Sequence, residues 1–272
     1  MKTKIDVLDQ GFVRLVDTMP TEPGTADVSI VEAARVSYQN GTSVSRNERG
    51  LIRYLMRNWH TSPFEMAEVK LHIKMPIFVA RQWMRHRTAS INEVSARYSV
   101  LPDESYIPAE FGAQSTTNKQ GSEAGLTDNI QASANKITCA TIGSSMQAYS
   151  ELLAMGVSRE QSRLVLPVAT YTEFYWKANL LNVMRLLQLR MDKHAQAECQ
   201  AYANAIFDLM LEFAPLTMEA FSDYWIGGQR ISKNEWAIIR ASLTEDQVTE
   251  ILAKAAKDLS AGEAAEFANK FK

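Results

Sequence analysis

From Glu68 to Met75 the chain alternates without a break: Val69, Leu71, Ile73 and Met75 occupy one face, and Glu68, Lys70, His72 and Lys74 the other. A period of two commits this segment to a strand with one buried face, because a slip of one residue would turn every apolar side chain to solvent. Pro76 follows at once. Its fixed φ suits the first turn of a helix, and Ile77, Val79, Ala80, Trp83 and Met84 give that helix an apolar side. The helix delivers Arg85, His86 and Arg87 to its C-terminal end, where the helix dipole favours positive charge.

The stretch from Ala80 to Tyr98, ARQWMRHRTASINEVSARY, crowds arginines, a histidine, amides, serines and a carboxylate together. Charge runs are usually solvated faces. This one projects from the end of an apolar element, and repulsion among Arg85, His86 and Arg87 is relieved if an anion sits among them. A phosphate-bearing ligand is the first expectation. Ser95-Ala96-Arg97 adds a hydroxyl and a guanidinium either side of a small residue, which suits phosphate oxygens approached by side chains and backbone N–H groups.

The rest of the chain reads as alternating strands and helices. Phe12 to Asp17 predicts an early strand, and Ser29 to Val36 a short helix with Ser29 as its cap. A second helix lies between Asn47 and Trp59, leaving His60 at a helix-to-loop corner before Ser62-Pro63. The polar segment Gly112 to Leu126 is read as a mobile loop. A long helix runs from Thr127, weakened at Gly143 and ended by Gly156, and a shorter one carries Arg163. Thr170 to Trp176 predicts another strand. Helices at Leu180 to Met191 and Ala195 to Phe213 follow, with Arg190 and His194 on one face if the helical path persists between them. Beyond residue 225 a Thr244-Glu245-Asp246-Gln247 capping box opens an amphipathic helix.

The expected fold is α/β (α+β), a mixed sheet flanked by long helices. No Gly-x-Gly-x-x-Gly follows a strand and no Walker loop occurs, so there is no evident Rossmann unit. A net charge of −2 argues against a globally basic nucleic-acid binder but leaves a local anion site possible. Cys139 and Cys199 have neither the number nor the spacing of a disulfide framework or zinc site and are expected to be buried free thiols; no metal is called for. The N-terminus lacks an apolar signal region and no stretch is long enough to cross a bilayer, which places the chain in the cytoplasm with no membrane partner.

Arg85-His86-Arg87, seven residues, then Ser95 resembles the signature of the flavin-dependent thymidylate synthases. The likeness extends through Ala34-Arg35-Val36-Ser37, through His60-Thr61-Ser62-Pro63-Phe64-Glu65, through Arg163-Leu164-Val165-Leu166-Pro167, and through Leu189 to Gln196. It covers roughly residues 10 to 225, so the expected domains are a catalytic one at 1–225 and a C-terminal helical extension at 226–272. The resemblance implies reductive methylation of dUMP to dTMP, with 5,10-methylenetetrahydrofolate as carbon donor and NADPH reducing FAD. It also implies a homotetramer whose active sites borrow residues from neighbouring subunits.

Residue by residue, the resemblance implies a dUMP site of Gln82, Arg85, Glu93, Ser95, Ala96, Arg97, Arg163 and Arg190. The flavin set it implies is Ser37, His60, Ser62, Glu65, Arg85, His86, Arg87, Glu93, Asn179 and His194. Arg190 would face the pyrimidine carbonyl edge and stabilise negative charge as C5 becomes nucleophilic. His60 would lie near the flavin, and Ser95 would position the phosphate without attacking the ring. Leu181 and Arg185 stand where some members of the family carry an arginine and an asparagine that contact FAD, which puts the adenosine side of the site in doubt. Two other readings stay open: a flavin or nucleotide sensor that binds without turnover, and a nucleic-acid-binding module using the basic cluster.

Overall fold

The computed structural model describes residues 3–22, 24–36 and 47–271. Strands β1 (Lys4–Val7) and β2 (Gly11–Met19) open the chain. They are followed by α1 (Ala26–Arg35), α2 (Glu48–Arg57), a 3-10 turn at Ser62–Met66, β3 (Glu68–Pro76), α3 (Ile77–Trp83) and β4 (Ser90–Glu93). A short hairpin of β5 (Ala113–Gln114) and β6 (Ser122–Glu123) precedes α4 (Asp128–Ala154), α5 (Arg159–Ser162) and a 3-10 turn at Arg163–Val165. Then come β7 (Tyr171–Asn179), α6 (Leu180–Arg190), α7 (Ala197–Phe213) and α8 (Pro215–Phe221), in the first of two compact units, 1–227. The second, 228–272, holds α9 (Lys233–Ala241), α10 (Glu245–Asp258) and α11 (Ala261–Asn269).

The main sheet has the order β1-β2-β3-β7-β4, and every ladder in it is antiparallel. The mixed sheet of the sequence reading is thus realised as an antiparallel one flanked by helices. The alternation of β3 does what its period requires: Val69, Leu71, Ile73 and Met75 are buried against Phe174, Trp176 and Ala178 of β7. Each such side chain contributes about 1.5–3 kcal/mol of burial. Helices α6 and α7 cover that face, with Leu186, Leu187, Ile206, Leu209 and Met210 fully enclosed.

A close approach fixes α7 on the sheet. The Tyr202 hydroxyl donates to the Lys74 carbonyl oxygen at 2.7 Å, and it passes so near Gly11 that a Cβ there would stand 1.9 Å from it. Only glycine leaves this room. A buried carboxylate joins two more helices: Asp27 of α1 accepts from the backbone N–H groups of Leu216 and Thr217 and from the Thr217 hydroxyl, at 2.8, 3.0 and 2.6 Å. It satisfies the N–H groups at the start of α8, which lacks a cap of its own.

Several expectations are corrected. Helix α1 begins at Ala26 after Thr25, so Ser29 lies inside the helix instead of capping it. The segment 112–126 contains the β5–β6 hairpin and is not simply a loop. Helix α4 runs through Gly143 without a break. It buries only Met146 and Tyr149 of its 27 residues, so Cys139 on it is exposed; Cys199 is buried as expected. Strands β1 and β4 were not read from the sequence. All four residues of β4 are exposed, which erases the alternation that marks a half-buried strand.

In the second unit, α9, α10 and α11 each begin with a reciprocal capping box, from Ser232 and Glu235, Thr244 and Gln247, and Ser260 and Glu263. Trp236 and Phe267 both meet the Phe271 ring edge-on, at 5.1 and 5.3 Å.

Candidate active site

Helix α3 ends where the sequence places it, but its cationic triplet does not act as one cluster. The backbone N–H of Arg85 reaches back to the Gln82 carbonyl and that of His86 to the Trp83 carbonyl, closing the helix end. Arg85 and Arg87 are exposed, whereas His86 is half-buried and turned to α6. There Arg190 Nε donates to His86 Nε2 at 3.1 Å, and Arg190 Nη2 donates to the Gln82 carbonyl oxygen at 2.9 Å. Burial, with the Arg190 charge second, lowers the His86 pKa to about 4. The imidazole is therefore neutral at physiological pH and carries its proton on Nδ1. Repulsion within the triplet is relieved in part by this neutral histidine, and no bound anion is needed for that share.

Gln82 is the hinge of this group. Its Nε2 donates to Gln196 Oε1 at 2.5 Å, and its Oε1 accepts from the Cys199 thiol at 3.4 Å. Burial, the largest effect, pushes the Cys199 thiol up to about 11, so it stays protonated. Neither Cys199 nor Gln196 was assigned a role from sequence. Gln196 stands in the stretch Leu189 to Gln196 that carries the family likeness, a signal that was available; Cys199 offered none.

A second group lies along β4 and the turn after it. Glu93 Oε1 accepts from the buried Thr172 hydroxyl at 2.7 Å. Ser95 Oγ accepts the backbone N–H of Arg97 at 3.3 Å, and backbone N–H groups of Tyr98 and Ser99 close on the Ser95 carbonyl. The serine hydroxyl thus holds a tight turn. Ala96 is buried, while the Arg97 guanidinium is exposed and lies over the Tyr98 ring at 5.4 Å. Arg159 Nη1 donates to the Tyr98 carbonyl at 3.0 Å, tying α5 to this turn, and Arg163 just beyond it is exposed.

The expected flavin residues among those described lie on five stretches of the chain: the α2 corner with the first 3-10 turn, the end of α3, β4, the N-cap of α6 and the turn after α6. His60 sits at the corner after α2, where Trp59 takes φ 59° and the N–H groups of Trp59 and His60 bond to the Met56 and Leu55 carbonyls. That is a position usually held by glycine. Strain of about 1–2 kcal/mol for a non-glycine residue is offset in part by the stack of Trp59 on Trp225 at 4.8 Å. His60 meets the Tyr54 ring edge-on at 5.6 Å and is exposed, as are Ser62 and Glu65 in the 3-10 turn. Asn179 uses its Oδ1 to cap α6 through the Asn182 N–H at 3.0 Å. Ser37 lies outside the described residues.

His194 is a correction. Asp192 Oδ1 accepts the His194 backbone N–H and bonds its ring Nδ1, both at 2.8 Å, so the chain turns after Met191. The helical path does not persist, and His194 does not share a helix face with Arg190. Leu181 is buried in the core and has no access to a ligand, whereas Arg185 is exposed and bonds Asn182 at 3.2 Å.

Fold and site together define an α/β protein that carries its guanidinium groups at helix ends and in a tight turn, outside any dinucleotide-binding crossover. The family described as "Thymidylate synthase complementing protein" matches residues 14–216. The flavin-dependent thymidylate synthase of Thermus thermophilus is 48% identical over 259 residues, covering 95% of this chain and 91% of that protein. The one of Dictyostelium discoideum is 49% identical over 242 residues, covering 87% and 80%. A solved UMP/dUMP methylase from Streptomyces cacaoi, bound with 5-Br dUMP, superposes with a TM-score of 0.70 at 33% identity over 81% of this chain and 98% of its own. The chain is an enzyme of the flavin-dependent thymidylate synthase family. Among the described residues, no helix is long and apolar enough to cross a membrane.

Proposed function

We propose that the chain converts dUMP to dTMP by FAD-dependent reductive methylation, with 5,10-methylenetetrahydrofolate as carbon donor and NADPH as reductant. The observation that carries this reading is Arg190. Its guanidinium is half-buried and held by His86 and the Gln82 carbonyl, so a permanent positive charge stands at a fixed place. Such a charge stabilises a pyrimidine carbonyl oxygen as electron density builds on the ring, without reorganisation during the reaction. Arg97 and Arg163, with the backbone N–H groups of Ser95 and Ala96, are assigned as the matching phosphate donors.

No enzyme nucleophile is required on the ring, and the side chains support that. The Cys199 proton is retained to about pH 11, and the Ser95 hydroxyl oxygen already accepts from the backbone of its own turn. The donors present fit FAD. Arg85 and Arg87 are exposed cations able to take its diphosphate, the Asn179 amide keeps its N–H groups, and His60, Ser62 and Glu65 offer polar groups from the α2 corner. When bound, the flavin supplies the hydride that reduces the transferred one-carbon unit. His86, neutral with its proton on Nδ1, offers that N–H as a donor.

The two groups of substrate residues lie on different elements, Gln82, Arg85 and Arg190 on α3, α6 and the bend between α3 and β4, and Glu93, Ser95, Arg97 and Arg163 on β4, its turn and the second 3-10 turn. We read the chain as one subunit of a homotetramer in which one copy completes the site of another. The apolar exposure of α4, with Ile130 and Ile137 50% and 67% exposed in the single chain, supports an assembly. We assign catalysis to 1–225, read 226–272 as a helical extension, and place the enzyme in the cytoplasm.

The test is direct. Purified chain should take up FAD by calorimetry, with flavin absorption, and should form dTMP from dUMP, methylenetetrahydrofolate and NADPH. A chain that binds no FAD defeats the reading; binding of FAD and dUMP without turnover makes it the sensor.

A further inference from the structure

We propose that Cys199 and Gln196, at the start of α7, are positioning residues that lock the Gln82 carboxamide in one of its two orientations and thereby set the enzyme's preference for a uracil over a cytosine ring. The proposal rests on the reading of Gln82 and Arg190 as the pair that meets the pyrimidine.

A carboxamide is nearly symmetric in shape but opposite in chemistry at its two ends, so its function depends on what stops it from flipping. Three anchors hold Gln82. Its backbone carbonyl accepts from Arg190 Nη2 at 2.9 Å, its Nε2 donates to Gln196 Oε1 at 2.5 Å, and its Oε1 accepts from Cys199 Sγ at 3.4 Å. The thiol is fully buried, and with its pKa at about 11 it remains an S–H donor over the working range. A flip would trade the thiol's hydrogen bond to Oε1 for N–H groups aimed at sulfur, a weak acceptor, and would set Gln82 Oε1 against Gln196 Oε1 unless the exposed Gln196 amide turned with it. The thiol anchor is fixed in turn, because Cys199 is fully buried and Tyr202 pins α7 to the sheet through Lys74 and the space over Gly11.

With Oε1 turned to the thiol and one N–H given to Gln196, the amide's second N–H is left for the ring. Arg190, held on the Gln82 backbone carbonyl, has donors only. The pair therefore presents donors to the ring edge. A uracil carbonyl oxygen satisfies them. The exocyclic amine of cytosine brings a donor against donors and leaves buried hydrogen-bonding groups unpaired, the strongest basis an enzyme has for rejecting a close analogue. Cys199 thus acts at one remove, through Gln82, and touches no substrate.

The experiment measures dUMP and dCMP affinities by calorimetry on the full, FAD-loaded chain in wild type, Cys199→Ala, Cys199→Ser and Gln196→Ala. Wild type is expected to prefer dUMP. Cys199→Ala should lower the dUMP to dCMP affinity ratio about 3- to 10-fold, the size of one modest hydrogen bond, with Gln196→Ala acting in the same direction. Cys199→Ser, whose hydroxyl also donates, should restore most of the ratio. A cavity or a loss of stability alone would weaken both ligands together and leave the ratio unchanged. A ratio that stays at the wild-type value in Cys199→Ala overturns the proposal, as does a serine variant that behaves like alanine.

A second readout needs no substrate. In a Cys139→Ala background, the infrared S–H stretch of Cys199 should lie at the hydrogen-bonded frequency and move to that of a free thiol in Gln82→Leu. A free-thiol band in the parent chain overturns the lock by itself. If wild type binds neither nucleotide while the band shows the hydrogen bond, the functional reading fails and with it the link to ring preference, whereas the positioning of Gln82 stands.

Discussion

His86 offers the sharpest test of the site's electrostatics, because the sequence reads it as one of three neighbouring cations and the structure makes it a neutral acceptor. Burial is the larger cause of its lowered pKa and the Arg190 charge the second. The folded value, about 4, lies below the ordinary 6.5. Between those values the unfolded chain binds the extra proton and the folded one does not, so stability is complete above pH 6.5 and is lost as pH falls towards 4. At about 1.4 kcal/mol for each pH unit of that window, full burial gives on the order of 3 kcal/mol; partial solvent access reduces this to about 2. Urea unfolding of wild type and His86→Gln at pH 7 and pH 4.5 isolates the effect: the gap between the two chains should shrink by most of that amount at the lower pH. Long-range 1H–15N spectra give the same answer locally. His86 should stay neutral with its proton on Nδ1 down to about pH 5, and Arg190→Leu should raise its pKa without bringing it to 6.5, because burial remains. An imidazole that titrates near 6.5 in the wild-type chain would refute the argument, and one protonated on Nε2 would refute the Arg190 hydrogen bond.

Asp27→Ala strips three acceptor contacts from the start of α8 and leaves two N–H groups and a hydroxyl unpaired in a buried place; a loss of about 2–4 kcal/mol in denaturant unfolding is expected, with Asp27→Asn milder because one carbonyl oxygen remains. A loss under about 1 kcal/mol would mean that water replaces the carboxylate. Arg97→Ala should weaken dUMP binding by about 1.5–3 kcal/mol and leave FAD binding nearly unchanged, while deoxyuridine, which lacks the phosphate, should separate the two chains little by calorimetry; an equal loss for both nucleotide and FAD would make Arg97 a support of the fold.

What the sequence by itself determined follows from local periodicity and local chemistry. The alternation of Val69, Leu71, Ile73 and Met75 announces β3 and its buried face, Pro76 marks the junction with α3, though as the last residue of the strand and the N-cap instead of a residue in the helix's first turn, and Thr244 to Gln247 announces the cap of α10. The motif from Arg85 to Ser95 was enough to indicate the family. These are signals written in neighbouring residues, where the spacing of side chains is set by the backbone itself.

Only the tertiary structure decided which of those side chains meet. Arg190 reaches His86 and Gln82 across more than a hundred residues of sequence, and nothing local to Arg85-His86-Arg87 says that its middle member turns inward and stays neutral. β4 shows no alternation because all four of its residues are exposed, and Asp192 ends a helical path that the pattern up to His194 would have continued. Cys199 is the plainest case. In sequence it is one more small residue on an apolar helix, and its role exists only because Tyr202, one turn on, fits the space above Gly11 and holds that thiol against Gln82. Burial and long-range hydrogen bonding are properties of the packed chain, and a protonation state that depends on them is decided at the same moment as the packing.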